Sequence, residues 1–270
     1  MKKKVLITGA GSGFGKGVAL ALAQKGHEVI ATVHFSTQKT ELLNSAMELD
    51  INLNVEVVDI TNEDDRNFIF KNEIDILINN AGIMETGPIA EIPMKNVKNN
   101  FETNVFGTLA VTQGFIPQMV KRGKGKIITI SSIAGLVTMP MGAVYSATKQ
   151  ALEAITEGLS IELAGKGVDM CVVNPGFYKT GFNDRGAETM LKWFDPSTSL
   201  SSPEILQSVM NLLETQADPQ EQIDDIVRVV EEDKSNFRNV CPQQVIPWVK
   251  AIEEKSWEAK SDEQIWVCPS

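Results

Sequence analysis

Ser132, Tyr145 and Lys149 are the residues whose types and spacing could do chemistry in this sequence. A tyrosine and a lysine four residues apart share one face of a helix. A fixed ammonium beside a phenol favours the phenolate. The pair would make an acid/base able to act nearer neutral pH than free tyrosine, whose pKa is about 10. A serine hydroxyl close by can hold a substrate oxygen by hydrogen bonding. The Y-x-x-x-K spacing also arises by chance in helices, so its weight depends on the elements around it.

Those elements are legible from periodicity. Lys126–Ile130 is a short β-branched run that reads as a buried parallel strand, with Ser131 and Ser132 following it. Ala151, Leu152, Ala154, Ile155, Leu159 and Leu163 recur at helical spacing, which puts Tyr145 and Lys149 in the first turns of a helix. Nearer the N-terminus, the run Val5–Thr8 leads into Gly9-Ala10-Gly11-Ser12-Gly13-Phe14-Gly15 and a helix carrying Val18, Ala19, Leu22 and Ala23. Strand, glycine turn and helix are the setting in which backbone N–H groups meet the phosphates of a dinucleotide. The spacing here is G-x-x-x-G-x-G rather than G-x-G-x-x-G. Further strands are expected at Glu28–Val33, Leu53–Val58, Ile74–Ile78, Val168–Val173 and, short and last, Phe237–Val240. Helices are expected from the Pro88–Pro93 region through Asn104 toward Met119, over Pro219–Glu232 and over Val245–Lys255. Alternation at this spacing predicts an α/β Rossmann-type, doubly wound parallel sheet in a single domain over residues 1–270. Gly9–Gly15, Asp59, Asn79–Gly82, Ser132 and Pro175–Gly176 all fall at strand carboxyl ends, where such sheets bind ligands.

At the end of the second strand Val33 and His34 stand where a carboxylate would bond an adenosine ribose. His34 and Lys16 are therefore candidate partners for a 2′-phosphate, although His34 could equally be a plain loop residue. Asp59 could accept from an adenine amino group or cap the next helix. From residue 177 to 219 periodicity weakens, and Met190, Trp193, Phe194 and Pro196 appear. This predicts an irregular, apolar lid over a substrate, the other reading being a surface excursion or an oligomer contact. The tail with Trp257, Trp266 and Cys268 could dock on the domain or reach another subunit.

The net charge of −10 argues against nucleic acid and anionic membrane as partners. Three cysteines, Cys171, Cys241 and Cys268, form neither a disulfide framework nor a metal-ligand spacing, so no metal is expected. Lys2–Lys4 and Val5–Ile7 start like a secretion signal, but the apolar run stops at Thr8-Gly9. A cytoplasmic protein without a membrane span is expected.

Taken together, Thr8-Gly9-x-x-x-Gly13-x-Gly15, Asp59, Asn79-Asn80-Ala81-Gly82, Asn104, Ser132, Tyr145-x-x-x-Lys149 and Pro175-Gly176-x-x-x-Thr180 resemble the short-chain dehydrogenase/reductase family over about Val5–Gly181. Ser132 precedes Tyr145 by thirteen positions, a spacing that matches the family and singles out Ser132 over Ser131. The resemblance implies NAD(P)(H) as cofactor, NADP(H) being favoured by His34, where NADP-preferring members often carry arginine. It implies hydride exchange with an alcohol or carbonyl compound. Tyr145 would be the acid/base. Lys149 would lower its pKa and hold the nicotinamide ribose. Ser132 would orient the substrate oxygen, and Asn104 would serve a water relay. The cofactor would be held by Gly9, Ser12, Gly13, Phe14, Gly15, His34, Asp59, Ile60, Asn80, Ala81, Gly82, Tyr145, Lys149, Pro175, Gly176, Tyr178 and Thr180. Phe14 and Tyr178 depart from the family's usual residues, and Tyr178 is expected to narrow the site. Substrate would meet Ser132, Tyr145, Met190 and Trp193, and the apolar lid suggests an apolar alcohol or ketone. The resemblance also implies a homodimer or homotetramer through about Phe101–Lys121 and Val144–Gly165. A non-catalytic NAD(P)-binding regulator or redox sensor is the alternative from another class; keeping both Tyr145 and Lys149 argues against it. An epimerase or dehydratase would need a larger C-terminal domain than the residues after Gly181 provide.

Overall fold

Every apolar run read as a strand pairs in parallel with its neighbours. The computed structural model describes residues 2–266, so Cys268 lies outside the described residues. The strands are β1 (Lys4–Ile7), β2 (Glu28–Val33), β3 (Asn54–Val57), β4 (Ile76–Asn79), β5 (Gly125–Ile130), β6 (Val168–Pro175) and β7 (Arg238–Cys241). They form one sheet in the order β3-β2-β1-β4-β5-β6-β7. Strand order reverses between β1 and β4, which opens a crevice at their carboxyl ends.

Both faces of the sheet are covered, which explains strands that are apolar at nearly every position. Val5, Ile7, Ile76, Ile78 and Ile128 pack with Val18 and Leu22 of α1 (Gly13–Gln24) and with Ile223, Ile226 and Val230 of α9 (Gln220–Glu231). The intervening residues Leu6, Leu77 and Ile127 face the other way. They meet Ile69 of α3 (Glu63–Ile69) and Val111, Phe115 and Met119 of α5 (Thr108–Arg122). Between β2 and β3 runs α2 (Ser36–Glu48), and α6 (Ala143–Glu162) joins β5 to β6.

Two departures from the expected elements bear on function. The helix expected through Asn104 is not continuous. After α4 (Met94–Phe101) the chain widens into a π-helical turn, Glu102–Gly107, before α5 begins. Segment 177–219 is not irregular. It holds α7 (Phe182–Leu191) and α8 (Pro203–Glu214). A signal for α8 was present: Pro203 at the first helical position, followed by Ile205, Leu206, Val209 and Met210 at helical spacing. The serine run before it disguised this start as loop. Beyond β7, α10 (Ile246–Glu258) carries Trp248, against which Trp266 of the tail packs edge to face at 5.4 Å. Trp257 is exposed. Among the described residues no helix is long and apolar enough to cross a membrane.

Candidate active site

Ser132 lies two residues beyond the end of β5 and caps the short 3-10 turn Ile133–Gly135, its Oγ accepting from the Ala134 N–H at 3.1 Å. Tyr145 and Lys149 lie one turn apart near the start of α6, with 8% and 4% of their surface exposed. Lys149 Nζ lies 5.6 Å from the centroid of the Tyr145 ring and donates to the Ile130 carbonyl at 2.8 Å. One strand end and one helix start therefore bring the three groups together.

Their protonation differs from the sequence expectation. Burial pushes the Tyr145 phenol above its ordinary value, against the opposing pull of a hydrogen bond from Ser132. The easing expected from Lys149 does not set the direction: removal of the phenol from water is the larger influence. Burial also brings Lys149 down to about 8, with the Glu153 carboxylate resisting. Near neutral pH the centre holds a protonated phenol beside a largely charged lysine.

Asn104 sits in the π-helical turn and is fully buried. Its Oδ1 accepts from the Ile83 N–H at 2.8 Å, and its Nδ2 donates to the Ile83 carbonyl at 2.9 Å and to Thr148 Oγ1 at 3.1 Å. Its amide clamps the loop after β4 behind Gly82 and does not line the cavity described below.

A cavity of about 780 Å³ runs from this centre to the glycine turn and the ends of β2 and β3. Gly9, Ser12, Gly13, Phe14, His34, Asp59, Ile60, Asn80, Ala81, Gly82, Pro175, Gly176, Tyr178, Thr180 and Met190 line it together with Ser132, Tyr145 and Lys149. Gly15, Lys16 and Trp193 do not. Gly15 is buried under the turn, where a Cβ would stand 2.5 Å from Asn80 Nδ2 and from the Gly9 carbonyl. Trp193, expected at the substrate, lies two residues past the end of α7 and instead packs on Gly87 and on Phe194. Asp59 does not cap α3: its Oδ1 accepts from the Thr61 N–H and hydroxyl, while Asn62 caps the helix. Burial raises the Asp59 carboxyl, but the Thr61 bonds, with His34 and Arg66 nearby, hold it below its usual value. Tyr178 is 1% exposed; its hydroxyl donates to Cys241 Sγ at 3.3 Å and its ring meets Phe14 edge to face at 5.5 Å, so it props the glycine turn.

The cavity fits a dinucleotide. Gly9 has φ +69°, and a Cβ there would stand 2.6 Å from Ala81 Cα. The N-terminus of α1 carries no side-chain cap and no acidic residue in its first turn, which leaves its N–H groups available to phosphate. Sequence reasoning missed Gln38, whose side chain lies over Gly11, and Glu41, both on the cavity wall. It also missed Met84, Met139, Met141, Phe177, Phe182 and Met210 at the other end, because they come from separate loops and helices with no shared spacing.

The model of the family described as short chain dehydrogenase matches residues 3–190. The chain belongs to that family. This short-chain dehydrogenase is 38% identical over 186 residues to an uncharacterized oxidoreductase, YusZ, of Bacillus subtilis (strain 168), covering 66% of each chain. It is 36% identical over 183 residues to a 3-ketodihydrosphingosine reductase of Bacteroides thetaiotaomicron, covering 67% of this chain and 65% of that one. It thus spans about two thirds of the length of these curated relatives. A Burkholderia phymatum short-chain dehydrogenase/reductase solved in complex with NAD shares the fold, with a TM-score of 0.83 over 98% of both chains at 20% identity. Other solved chains of this fold hold NADP. The chain thus has the doubly wound parallel sheet of its structural neighbours, and the Bacillus and Bacteroides relatives are an oxidoreductase and a reductase.

Proposed function

We propose that this short-chain dehydrogenase interconverts an alcohol and a ketone or aldehyde, with NAD(P)(H) as cofactor and Tyr145 as the acid/base. The observation that carries the reading is the convergence of Ser132, Tyr145 and Lys149 on a cavity that continues to the glycine turn. The bound cofactor supplies or accepts a hydride. The chain holds it through the glycine turn, Asp59 and Ile60, Asn80 to Gly82, Lys149, Pro175, Gly176 and Thr180. Ser132 positions the carbonyl oxygen, and the protonated Tyr145 Oη hands it a proton. Lys149 keeps a positive charge beside the phenol as that proton leaves.

The end of the cavity beyond Tyr145 is walled by Met84, Met139, Met141, Met190 and Met210, with Phe177 and Phe182. Unbranched thioethers adapt to apolar shapes, which supports an apolar carbonyl substrate. A keto substrate also agrees with the name of the Bacteroides relative. Helices α7 and α8, which supply Met190 and Met210, act as the lid. NADP(H) is favoured through His34, since no carboxylate follows β2 directly. Pairing into a homodimer or homotetramer through about Phe101–Lys121 and Val144–Gly165 fits the exposed Phe106 and Ile161.

The test is calorimetric titration with NADPH and with NADH, followed by turnover of apolar ketones by the wild type and by Tyr145→Phe. The variant should lose turnover by about a hundredfold to ten-thousandfold while binding cofactor within twofold of the wild type. Folded protein that binds neither nucleotide, or a Tyr145→Phe variant that keeps turnover, overturns the reading.

A further inference from the structure

Glu153 is a buried carboxylate that the mechanism above does not use. It lies one turn beyond Lys149 on the same face of α6, with 8% of its surface exposed. It is held from two strands. Arg238 Nη1 of β7 donates to its Oε2 at 2.7 Å, and Asn174 Nδ2 of β6 donates to its Oε1 at 2.6 Å. The same Asn174 amide donates to the Ser132 carbonyl at 3.0 Å. A path of hydrogen bonds therefore runs from the sheet edge, through Glu153, to the backbone of the serine that faces Tyr145.

We propose that Glu153 is a positioning residue of the catalytic centre: clamped by Arg238 and Asn174, it fixes Ser132 through the Asn174 amide and stands as a counter-charge one turn from Lys149. This rests on the assignment of Lys149 to the reaction. The groups facing Lys149 leave the carboxylate that role. From β5 comes the Ile130 carbonyl, which accepts a hydrogen bond from Nζ at 2.8 Å. From the loop after β4 comes Gly82, where a Cβ would stand 3.9 Å from Nζ, backed by the neutral amide of Asn104. On α6 itself Tyr145 is a protonated phenol. Glu153 supplies the formal negative charge that resists deprotonation of the buried amine, and Arg238, a step further out, tempers it. A buried ammonium without such a counter-charge gives up its proton.

The arrangement makes the two ends of the Glu153–Arg238 pair act in opposite directions. The experiment follows Lys149 directly, by NMR titration of protein carrying [ε-13C]lysine, the resonance being identified by its loss in Lys149→Arg. In Glu153→Gln the Lys149 midpoint should fall by about one pH unit. In Arg238→Gln, which leaves an untempered carboxylate, it should rise by about half a unit. The alkaline limb of the turnover profile should move with each midpoint. A purely structural Glu153 would move neither midpoint, or would move both the same way through general loosening; either result overturns the proposal. The titration needs no cofactor or turnover. Absence of activity would therefore sink the proposed reaction and still leave the coupling decided.

Discussion

The two ends of the cavity are built on different terms. At the Tyr145 end, Tyr145, Lys149 and Glu153 are buried, and Asn104 and Asn174 are wholly closed off from solvent. At the adenosine end, His34 and Phe35 are exposed, Gln38 Oε1 accepts from the backbone of both, and Glu41 and Asp59 add negative charge. Burial lets the first end shift protonation by large amounts, because charge is poorly screened there. Exposure leaves the second end able to change charge at small cost to the fold. Proton transfer and nucleotide choice should therefore respond to separate substitutions.

The largest effect is expected at the closed end. Lys149→Met should reduce turnover by about a hundredfold or more. It should also change how stability depends on pH. In the folded chain Lys149 loses its proton near 8, whereas an unfolded lysine keeps it to about 10.4. Below pH 8 the folded state carries the full cost of a buried ammonium. Between the two values the unfolded chain binds more protons, so this contribution to stability rises with pH. The variant lacks it. Its stability relative to the wild type should then fall by about 3 kcal/mol from pH 7 to pH 10.5, read from denaturant midpoints of both proteins. Contributions from groups common to both cancel in the difference. Parallel curves would mean that Lys149 is not buried in its charged form.

A smaller effect is expected at Gly9, where β1 passes into the turn between the two ends. A methyl group there meets Ala81 Cα at 2.6 Å on a backbone at φ +69°. Gly9→Ala should cost about 1–3 kcal/mol of stability and weaken nucleotide binding, with little change in the Lys149 titration. Thermal unfolding and calorimetry check this. Unchanged melting would show that the turn relaxes freely and is not a fixed cradle.

The same contrast explains what could be read from the sequence. Strand-end residues were legible, because a buried parallel strand has an unmistakable composition and its carboxyl end is fixed by the first turn residue after it. Thr8-Gly9, Asn79–Gly82, Ser132 and Pro175–Gly176 were located this way. Tyr145, Lys149 and Glu153 follow a helical period, so Glu153 could also have been found as the next polar residue on that face. Trp193 could not be placed, because its direction depends on how the chain past the end of α7 settles against Gly87. The methionine wall was hidden for the same reason: Met84, Met139 and Met210 meet only after three separate segments fold. The lowered pKa expected for Tyr145 failed because charge proximity was weighed without burial, and burial prevails.

The smallest effect is expected at His34, and it sharpens the comparison most. His34 packs edge to face on Phe35 at 4.3 Å and lends positive charge toward Asp59 when protonated. His34→Asp would place a third carboxylate beside Glu41 and Asp59. A 2′-phosphate would meet like charge, while a ribose hydroxyl would gain an acceptor. Because the site is exposed, the change should be worth about 1 kcal/mol, or roughly a fivefold shift of the NADPH/NADH affinity ratio toward NADH. It should shrink as salt is raised from 0.05 to about 0.5 M, since solvent-facing charges are screened over about a Debye length. Dissociation constants for both nucleotides at the two salt concentrations measure it, with turnover of the saturated enzyme as the control for the closed end. An unchanged ratio would move nucleotide choice from His34 to Gln38 and Glu41. A fall in saturated turnover would mean that the two ends are coupled after all.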